Sequence, residues 1–436
     1  MRPPVSAVSL LLLLALAGSA PAQSPAMREL AAYEQKFPLT PAPNPRPGLL
    51  QKGDRLAICG DSITEQKMYS RILETYLTVC VPELEITVRQ YGWSGEKAAG
   101  FLGRMTNDCL RFQPTVATTC YGMNDHEYRA YEPRIGDTYR EKMGGVVAAF
   151  QANGVRVLLG SAGTVGKRPS WVGDPNASID DMNLNLCQLR NIDIELARQL
   201  GVGFADLFRP MLLKGHEMAV KTDGRFAVSG QDGVHPGWAG QVVMAYAFLH
   251  GFALDGTIGT FTVDLAAGTT KTTAGHEVVR SSKEVVELRS YRYPFCAGVG
   301  DVAKDDNLRA GLQLVPFDAE LNRLTLLVQH APAERYTVTW GGQKKSFTGK
   351  QLSAGINLAT EFPINPFSAA FQRVDEAVAA KQNFETHQIK EVFHGREGKA
   401  DMAAAVAKTE AERTPLAAAI KTAFVPVNHT LTITPE

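Results

Sequence analysis

The sequence predicts an α/β fold: a five-stranded parallel sheet with helices on both faces, joined to a smaller C-terminal β-rich domain that carries a helical hairpin. Two observations predict it. Between about Asp54 and Leu254, short apolar runs alternate with longer stretches of helical spacing, the signature of successive βαβ units. Beyond Leu254 the alternation stops and short strand-like runs follow one another.

The elements follow in order. "RLAICG" (Arg55–Gly60) is a continuous apolar run that ends on glycine, and "MYSRILETYLTVC" after it has helical spacing. "LEITVRQYG" is the second strand, and "EKAAGFLGRMTNDCLRF" the helix behind it. "PTVATTCYG" is the third strand, followed by a helix that Gly154 closes. "VRVLLGSAG" is the fourth, followed by a long helix that Gly201 closes. "VGFADLF" is the fifth, and "GWAGQVVMAYAFLHGF" the last helix of this part. Downstream, "GTFTVDL", "EVVELRSY", "LNRLTLLVQ", "RYTVTWGG" and "KKSFTG" read as antiparallel strands and hairpins. A helical stretch from Pro366 to about Ala423, broken near "HGREGKAD", precedes a closing strand, "HTLTIT". The expected boundaries are a signal peptide at 1–22, a Pro-rich linker or extended wrap at 23–50, an α/β domain at 51–255 and a β-rich domain with a helical insertion at 256–436.

The N-terminus carries its own signal. Arg2 precedes the apolar run "AVSLLLLLALAG", too short to span a bilayer, and Ala20-Pro21-Ala22 supplies small residues for cleavage after Ala22. The expected protein is secreted or periplasmic, with no membrane span. Lys+Arg and Asp+Glu both number 45, so no electrostatic footprint for nucleic acid is visible. The six cysteines form no CxxC pair and no Cys/His cluster of zinc spacing. Cys59 and Cys120 end strand-like runs and read as small buried hydrophobes. A bridge between Cys80 and Cys109 is compatible with export. Asn176-Ala-Ser and Asn428-His-Thr fit the glycosylation pattern.

In an open parallel sheet, ligands sit beyond the carboxyl ends of the strands, so the loops leaving the strands hold the candidate chemistry. They are Gly60-Asp61-Ser62-Ile63-Thr64, Tyr91-Gly92-Trp93-Ser94-Gly95-Glu96, Tyr121-Gly122-Met123-Asn124-Asp125 and Asp232-Gly233-Val234-His235-Pro236. They contain the parts of acyl transfer. Ser62 is the candidate nucleophile, and a serine hydroxyl needs a base. His235, with Asp232 three positions before it, supplies the base and the group that orients it. The Ser62 backbone N–H, a glycine N–H of the second loop and the Asn124 amide are the candidate oxyanion donors. Asp61 is expected to hold its loop by hydrogen bonds. Glu65, His126 and Glu127 read as ordinary solvated residues. Trp93, Trp171, Trp238 and Tyr121 lie in or near these loops, where aromatic rings stack on sugars or simply pack.

At these residues the sequence resembles the SGNH (GDSL-type) hydrolases, a superfamily of esterases. Its motifs match Gly60-Asp61-Ser62-Ile63-Thr64, then Gly95 (with Gly92 as an alternative), then Gly122, Asn124 and Asp125, then Asp232 and His235. The resemblance covers about residues 51–255. It implies a flavodoxin-like three-layer α/β/α sandwich and a Ser-His-Asp hydrolase, without metal or other cofactor. It leaves the substrate open. Export, loop aromatics and an appended β-domain suit a small-molecule or polysaccharide ester, with short acyl groups, acetyl first, on a carbohydrate. The alternatives are a lipase or aryl esterase, an acyltransferase, and a non-catalytic surface-binding protein on a hydrolase scaffold. Residues 256–436 match none of the family's motifs and are expected to be dispensable for bond breaking.

Overall fold

The structure, a computed structural model, describes residues 25–174 and 177–436. The expected signal peptide and the Asn176 sequon lie outside the described residues. Among the described residues, those up to Lys36 belong to one compact unit and those from Phe37 to a second. Within the first, Pro25–Glu34 is a helix where a linker is expected. In the second, residues 38–41 carry no helix or strand, and side chains further along the chain hold their carbonyls. Asn191 donates to the Pro38 carbonyl (2.7 Å), and Arg190 and Arg198 donate to the carbonyls of Thr40 (2.9 Å) and Pro41 (2.7 Å).

Five strands, β1 (Arg55–Gly60), β2 (Thr87–Gln90), β3 (Val116–Cys120), β4 (Arg156–Gly160) and β5 (Gly203–Ala205), form one sheet in the order β2-β1-β3-β4-β5. Every pairing in it is parallel. This is the flavodoxin-like order. Helices α1 (Tyr69–Val79), α2 (Ala98–Asp108), α3 (Pro133–Ala152), α4 (Ile179–Leu200), α5 (Phe208–Thr222) and α6 (Trp238–Gly251) follow the strands. Neighbouring α2, α3 and α4 cover one face, and α1 with α6 the other. The strands are buried nearly throughout, as burial on both faces requires. The sequence reading lacks α5, of which only Phe208, Met211 and Leu212 are buried.

All six cysteines are free and buried, so the Cys80–Cys109 bridge does not form. The physical reason is their placement. Cys109 sits in the apolar core with Cys59, on the face that α2 covers, whereas Cys80 caps α1 on the opposite face.

The C-terminal part holds two sheets built from nine strands. These are β6 (Thr257–Asp264), β7 (Thr269–Thr272), β8 (His276–Ser281), β9 (Val285–Ser290), β10 (Arg323–Gln329), β11 (Arg335–Trp340), β12 (Gln343–Thr348), β13 (Ile356–Asn357) and β14 (Val427–Pro435). One sheet runs β13-β10-β6-β7 and the other β12-β11-β14-β9-β8. The second is antiparallel, as expected. In the first, β6 and β10 pair parallel, which hairpins cannot produce. The long connection between these strands permits it.

The helical insertion comprises α7 (Ser368–His387), a π-helical segment Gln388–Phe393, the short helix Arg396–Ala400 and α8 (Met402–Ala423). It packs on the parallel sheet's domain rather than on the β-sheets. Ile389, Val392, Phe393 and Ala405 share one apolar core with Phe101, Met105 and Phe150. Polar side chains of the insertion also cover the free edge of β2. The Val88 carbonyl accepts from Lys381 (2.7 Å) and Arg413 (3.1 Å), and the Gln90 N–H donates to Glu385 (3.1 Å). An edge strand left bare would be a template for aggregation. Residues 256–436 are therefore structurally joined to the α/β domain, and removing them would bare an apolar face and a strand edge.

Between the two β-sheets runs a buried chain of hydrogen bonds. Trp340 Nε1, which can only donate, donates to His429 Nδ1 (3.1 Å). His429 Nε2 then donates to Ser290 Oγ (2.9 Å), Ser290 to His276 Nδ1 (2.8 Å), and His276 Nε2 to the Ile258 carbonyl (3.1 Å). This order uses every donor and acceptor with both imidazoles neutral. Burial, and His276 nearby, push His429 down to about 3, and burial also lowers His276. The unfolded chain takes up protons near pH 6.5, so these histidines cost stability as pH falls from about 6.5 toward 3. Melting temperatures of the wild type and of His429→Asn, measured from pH 7.5 to 5, should converge as pH falls. A pH-independent difference would show that His429 is not held neutral.

Candidate active site

The first loop begins where β1 ends. Asp61 caps a one-turn helix, Ser62–Glu65, with its carboxylate accepting the Ile63 N–H (3.0 Å). Asp61 is buried. Burial, opposed by that N–H and reinforced by Asp125 and Glu96, pushes its carboxyl up to about 7. It holds the loop, as expected from the sequence.

His235 arrives from the loop before α6 and meets Ser62, 173 positions away. Its Nε2 lies 2.8 Å from Ser62 Oγ, and its Nδ1 lies 2.7 Å from Asp232 Oδ2. The other Asp232 oxygen accepts the backbone N–H of Val234 and of His235, both at 2.9 Å. Partial burial opposes ionisation of Asp232, but those N–H groups and the imidazole hold its carboxyl below the ordinary aspartate value. With Nδ1–H bonded to a carboxylate, Nε2 is the free base that faces the serine. Ser62 and His235 are each part-exposed at the carboxyl edge of the sheet.

The second loop lies on the first. A Cβ on Gly92 would come within 2.2 Å of the Glu65 nitrogen, so Gly92 is a packing glycine. Gly95 differs. Its φ is +74° and a Cβ there would meet nothing within 4 Å, so its backbone faces open space. Behind it, Glu96 and Arg104 form a buried two-pronged pair (2.6 and 2.7 Å). Arg104 also donates to the Tyr91 carbonyl (2.7 Å), and Tyr121 OH to Glu96 (3.0 Å). Tyr121 is fully buried and closed to any ligand.

In the third loop, the Asn124 amide donates to the Glu96 carbonyl (3.1 Å) and points to Asp61 at 3.5 Å. Tyr128 OH donates to Asn124 Oδ1 (3.4 Å), which leaves the Asn124 NH2 turned toward the Asp61 side. Asp125 accepts the N–H of Gly122 (3.0 Å) and of Ala98 (3.1 Å), tying this loop to the start of α2. Burial, opposed by these N–H groups, pushes it up to about 6. The structure thus gathers Ser62, His235, Asp232, Gly95 and Asn124 on one sheet edge.

Other expectations need correction. His126 is fully buried, its Nδ1 within 2.5 Å of the Met123 carbonyl, and burial pushes it down to about 4. It reads as solvated only because no local pattern marks it as core. Glu65 is half-buried and paired with Lys390 (2.7 Å) from the helical insertion. Glu127 is the surface residue expected, in ion pairs with Lys97 and Arg134. Trp93 packs against His394 (ring centroids 4.9 Å) and Trp238 against Arg71 (5.8 Å). Trp171 is 49% exposed, with its ring centroid 6.0 Å from those of both His235 and Tyr128. Tyr128 and Arg104 are given no role in the sequence reading, and Glu96 is named there only as a member of the second loop. Their roles depend on partners outside any local motif, and only the nearness of Glu96 to Gly95 hinted at one. Among the described residues, no group of three or more His, Cys, Asp and Glu side chains is arranged to hold a metal ion. No helix among them is long and apolar enough to cross a membrane.

Residues 58–243 match the model of the GDSL-like lipase/acylhydrolase family. No curated protein matches the chain. Among solved structures, it is similar to BT4096, a gut microbial diltiazem-metabolizing enzyme. The TM-score is 0.69 at 19% identity, covering 91% of this chain and 100% of that one. It is also similar to Axe2, an acetylxylan esterase from Geobacillus stearothermophilus (TM-score 0.38, 19% identity, 47% of this chain and 96% of that one). A third is LAE5, an alpha/beta hydrolase enzyme from the metagenome of Lake Arreo, Spain (TM-score 0.37, 18% identity, 47% and 97%). At these identities the likeness to the first of them is one of fold.

The two glycines of the second loop are separable by experiment. Gly92→Ala should lower the melting temperature sharply, because its Cβ meets backbone. Gly95→Ala should cost only about 1–2 kcal/mol for the left-handed backbone and keep the fold. Equal melting temperatures for the two variants would contradict the assignment of Gly92 to packing.

Proposed function

We propose that this chain is a carboxylic ester hydrolase of the SGNH type, a reading supported by the match of residues 58–243 to the GDSL-like lipase/acylhydrolase family, and that it cleaves short acyl esters through Ser62, His235 and Asp232. The observation that carries the proposal is the unbroken chain from Asp232 through His235 to Ser62, at 2.7 and 2.8 Å. His235 Nε2 takes the Ser62 proton as Oγ attacks the ester carbonyl, and Asp232 stabilises the imidazolium. The tetrahedral oxygen carries the developing charge. The Ser62 and Gly95 N–H groups and the Asn124 amide receive it. Collapse expels the alcohol, which takes the proton back from His235. Water, deprotonated by His235, then attacks the acyl-serine and releases the acid and free Ser62.

The substrate we infer is an acetyl or similarly short ester on a carbohydrate, met outside the cytoplasm. Exposed Trp171 beside His235 supports a flat ring of substrate lying on the histidine side of the serine, and the N-terminal apolar run supports export. The same aromatic wall suits an aryl ester, which is the second reading. Acetylated polysaccharides and p-nitrophenyl esters of rising chain length separate them. The proposal expects activity to fall with acyl length. It also expects Trp171→Ala to raise KM on acetylated polysaccharide more than on p-nitrophenyl acetate. Equal effects on both would favour the aryl reading.

The catalytic assignment has its own test. Ser62→Ala and His235→Ala should each lower kcat by roughly 10⁴- to 10⁶-fold, since triad members act as a unit. Asn124→Ala should lower kcat by about 10²–10³ with KM little changed, because the donor is used mainly in the transition state. Asn124→Asp should be worse, as it sets a negative charge beside the developing anion. A near-wild-type kcat in Asn124→Ala would remove that residue from the oxyanion site.

A further inference from the structure

The second loop is clamped from outside by residues the catalytic motifs do not include. Glu65 stands three positions after Ser62, at the end of the same helical turn. One of its carboxylate oxygens accepts both the backbone N–H of Ser94 and the Ser94 hydroxyl, the latter at 2.6 Å. Lys390 Nζ bonds both oxygens of that carboxylate, at 2.7 and 3.0 Å. Ser94 is the residue immediately before Gly95. Lys390 lies in the π-helical segment Gln388–Phe393, and π-turns in helices mark functional positions often. The grip extends to Trp93. Lys390 Nζ lies 5.2 Å from its ring centroid and the His394 ring 4.9 Å from it. His394 is held in turn by Asp108 at 2.7 Å. So Trp93 is held by the C-terminal half directly and Ser94 through Glu65, and Gly92 is wedged against the backbone of Glu65.

We propose that Lys390 and Glu65 are positioning residues for the reaction, which lock the Ser94–Gly95 peptide so that the Gly95 N–H is aimed at the oxyanion. The proposal rests on the oxyanion reading above and assigns the C-terminal half a part in catalysis. The geometry explains why one carboxylate serves two loops. Glu65 shares the rigid turn that carries Ser62, so its bond to Ser94 sets the second loop in register with the nucleophile. Gly95 has an open, left-handed backbone with no side chain to hold it, and a peptide that free needs a neighbour to fix it. Lys390 keeps Glu65 charged and pointed at Ser94. Partial burial opposes ionisation of Glu65, yet Lys390 and Ser94 hold its carboxyl below the ordinary glutamate value. Misplacing a reacting group by about 1 Å costs on the order of 10²-fold in rate, which sets the scale of the loss expected when the lock is broken.

The test uses the full chain with p-nitrophenyl acetate. Lys390→Met and Glu65→Gln should each lower kcat by about 10- to 100-fold with KM within about twofold. Lys390→Arg should recover most of the rate. The double variant should be no worse than the more severe single variant, because both break one link. Affinity for a boronic acid that mimics the tetrahedral intermediate should fall in step with kcat. Melting curves accompany each variant. A Lys390→Met enzyme with wild-type kcat overturns the proposal, as does a loss of rate that Lys390→Arg does not restore. Ser62→Ala and Asn124→Ala, assayed in parallel, keep the two claims apart. If those variants stay active, the oxyanion reading itself fails. If they are inactive while Lys390→Met is normal, only the positioning role fails.

Discussion

The contact between His235 Nε2 and Ser62 Oγ, 2.8 Å long across 173 positions of sequence, is the constraint the rest of the structure serves. A serine hydroxyl is a weak nucleophile without a base in hydrogen-bond reach, so the chain must bring two distant loops together and hold them still. A parallel sheet does this topologically, since every strand delivers its following loop to the same edge. The burial of β1, β3 and β4 on both faces fixes where those loops begin. The Asp232 turn then needs only three residues to curl its carboxylate back to the imidazole. Its two bonds to the Val234 and His235 N–H groups make that turn rigid.

Around the serine, the electrostatics are arranged to limit negative charge. Asp61, Asp125 and Glu96 crowd beneath the loops, and three carboxylates there would oppose an oxyanion. Each is answered differently. Arg104 neutralises Glu96 through a two-pronged pair, a geometry that adds direction as well as energy. Asp125 is held by two backbone N–H groups, and burial brings Asp61 up to about 7. The same contacts tie the loops to each other, because Glu96 bonds Tyr121 through its side chain and Asn124 through its carbonyl.

What the sequence revealed was local, and what it hid was long-range. Gly60 through Thr64 and Asn124 were legible because each follows an apolar strand-like run, and the Asp232–His235 turn because a carboxylate three positions before a histidine can curl back to it. The parallel sheet was legible because its period of strand and helix is regular. Glu65 and His126 were misread as solvated, since one finds its partner 325 positions away and the other is buried by tertiary packing alone. The parallel pairing of β6 with β10 was hidden because individual strands carry no sign of their partners. The helical insertion was visible as helices, but its docking on β2 and α1 was not. That docking depends on Lys381, Glu385 and Arg413, whose charges look like an exposed face until the strand edge they cover is known.

In the proposed mechanism Ser62 is the single residue that bonds covalently to substrate, and trapping that bond tests it most directly. The full chain treated with a serine-reactive phosphonate should gain the mass of one adduct. Peptide mapping should place it on Ser62, and His235→Ala should slow its formation strongly. An adduct on another serine, in a protein whose Ser62→Ala variant still hydrolyses esters, would contradict the account.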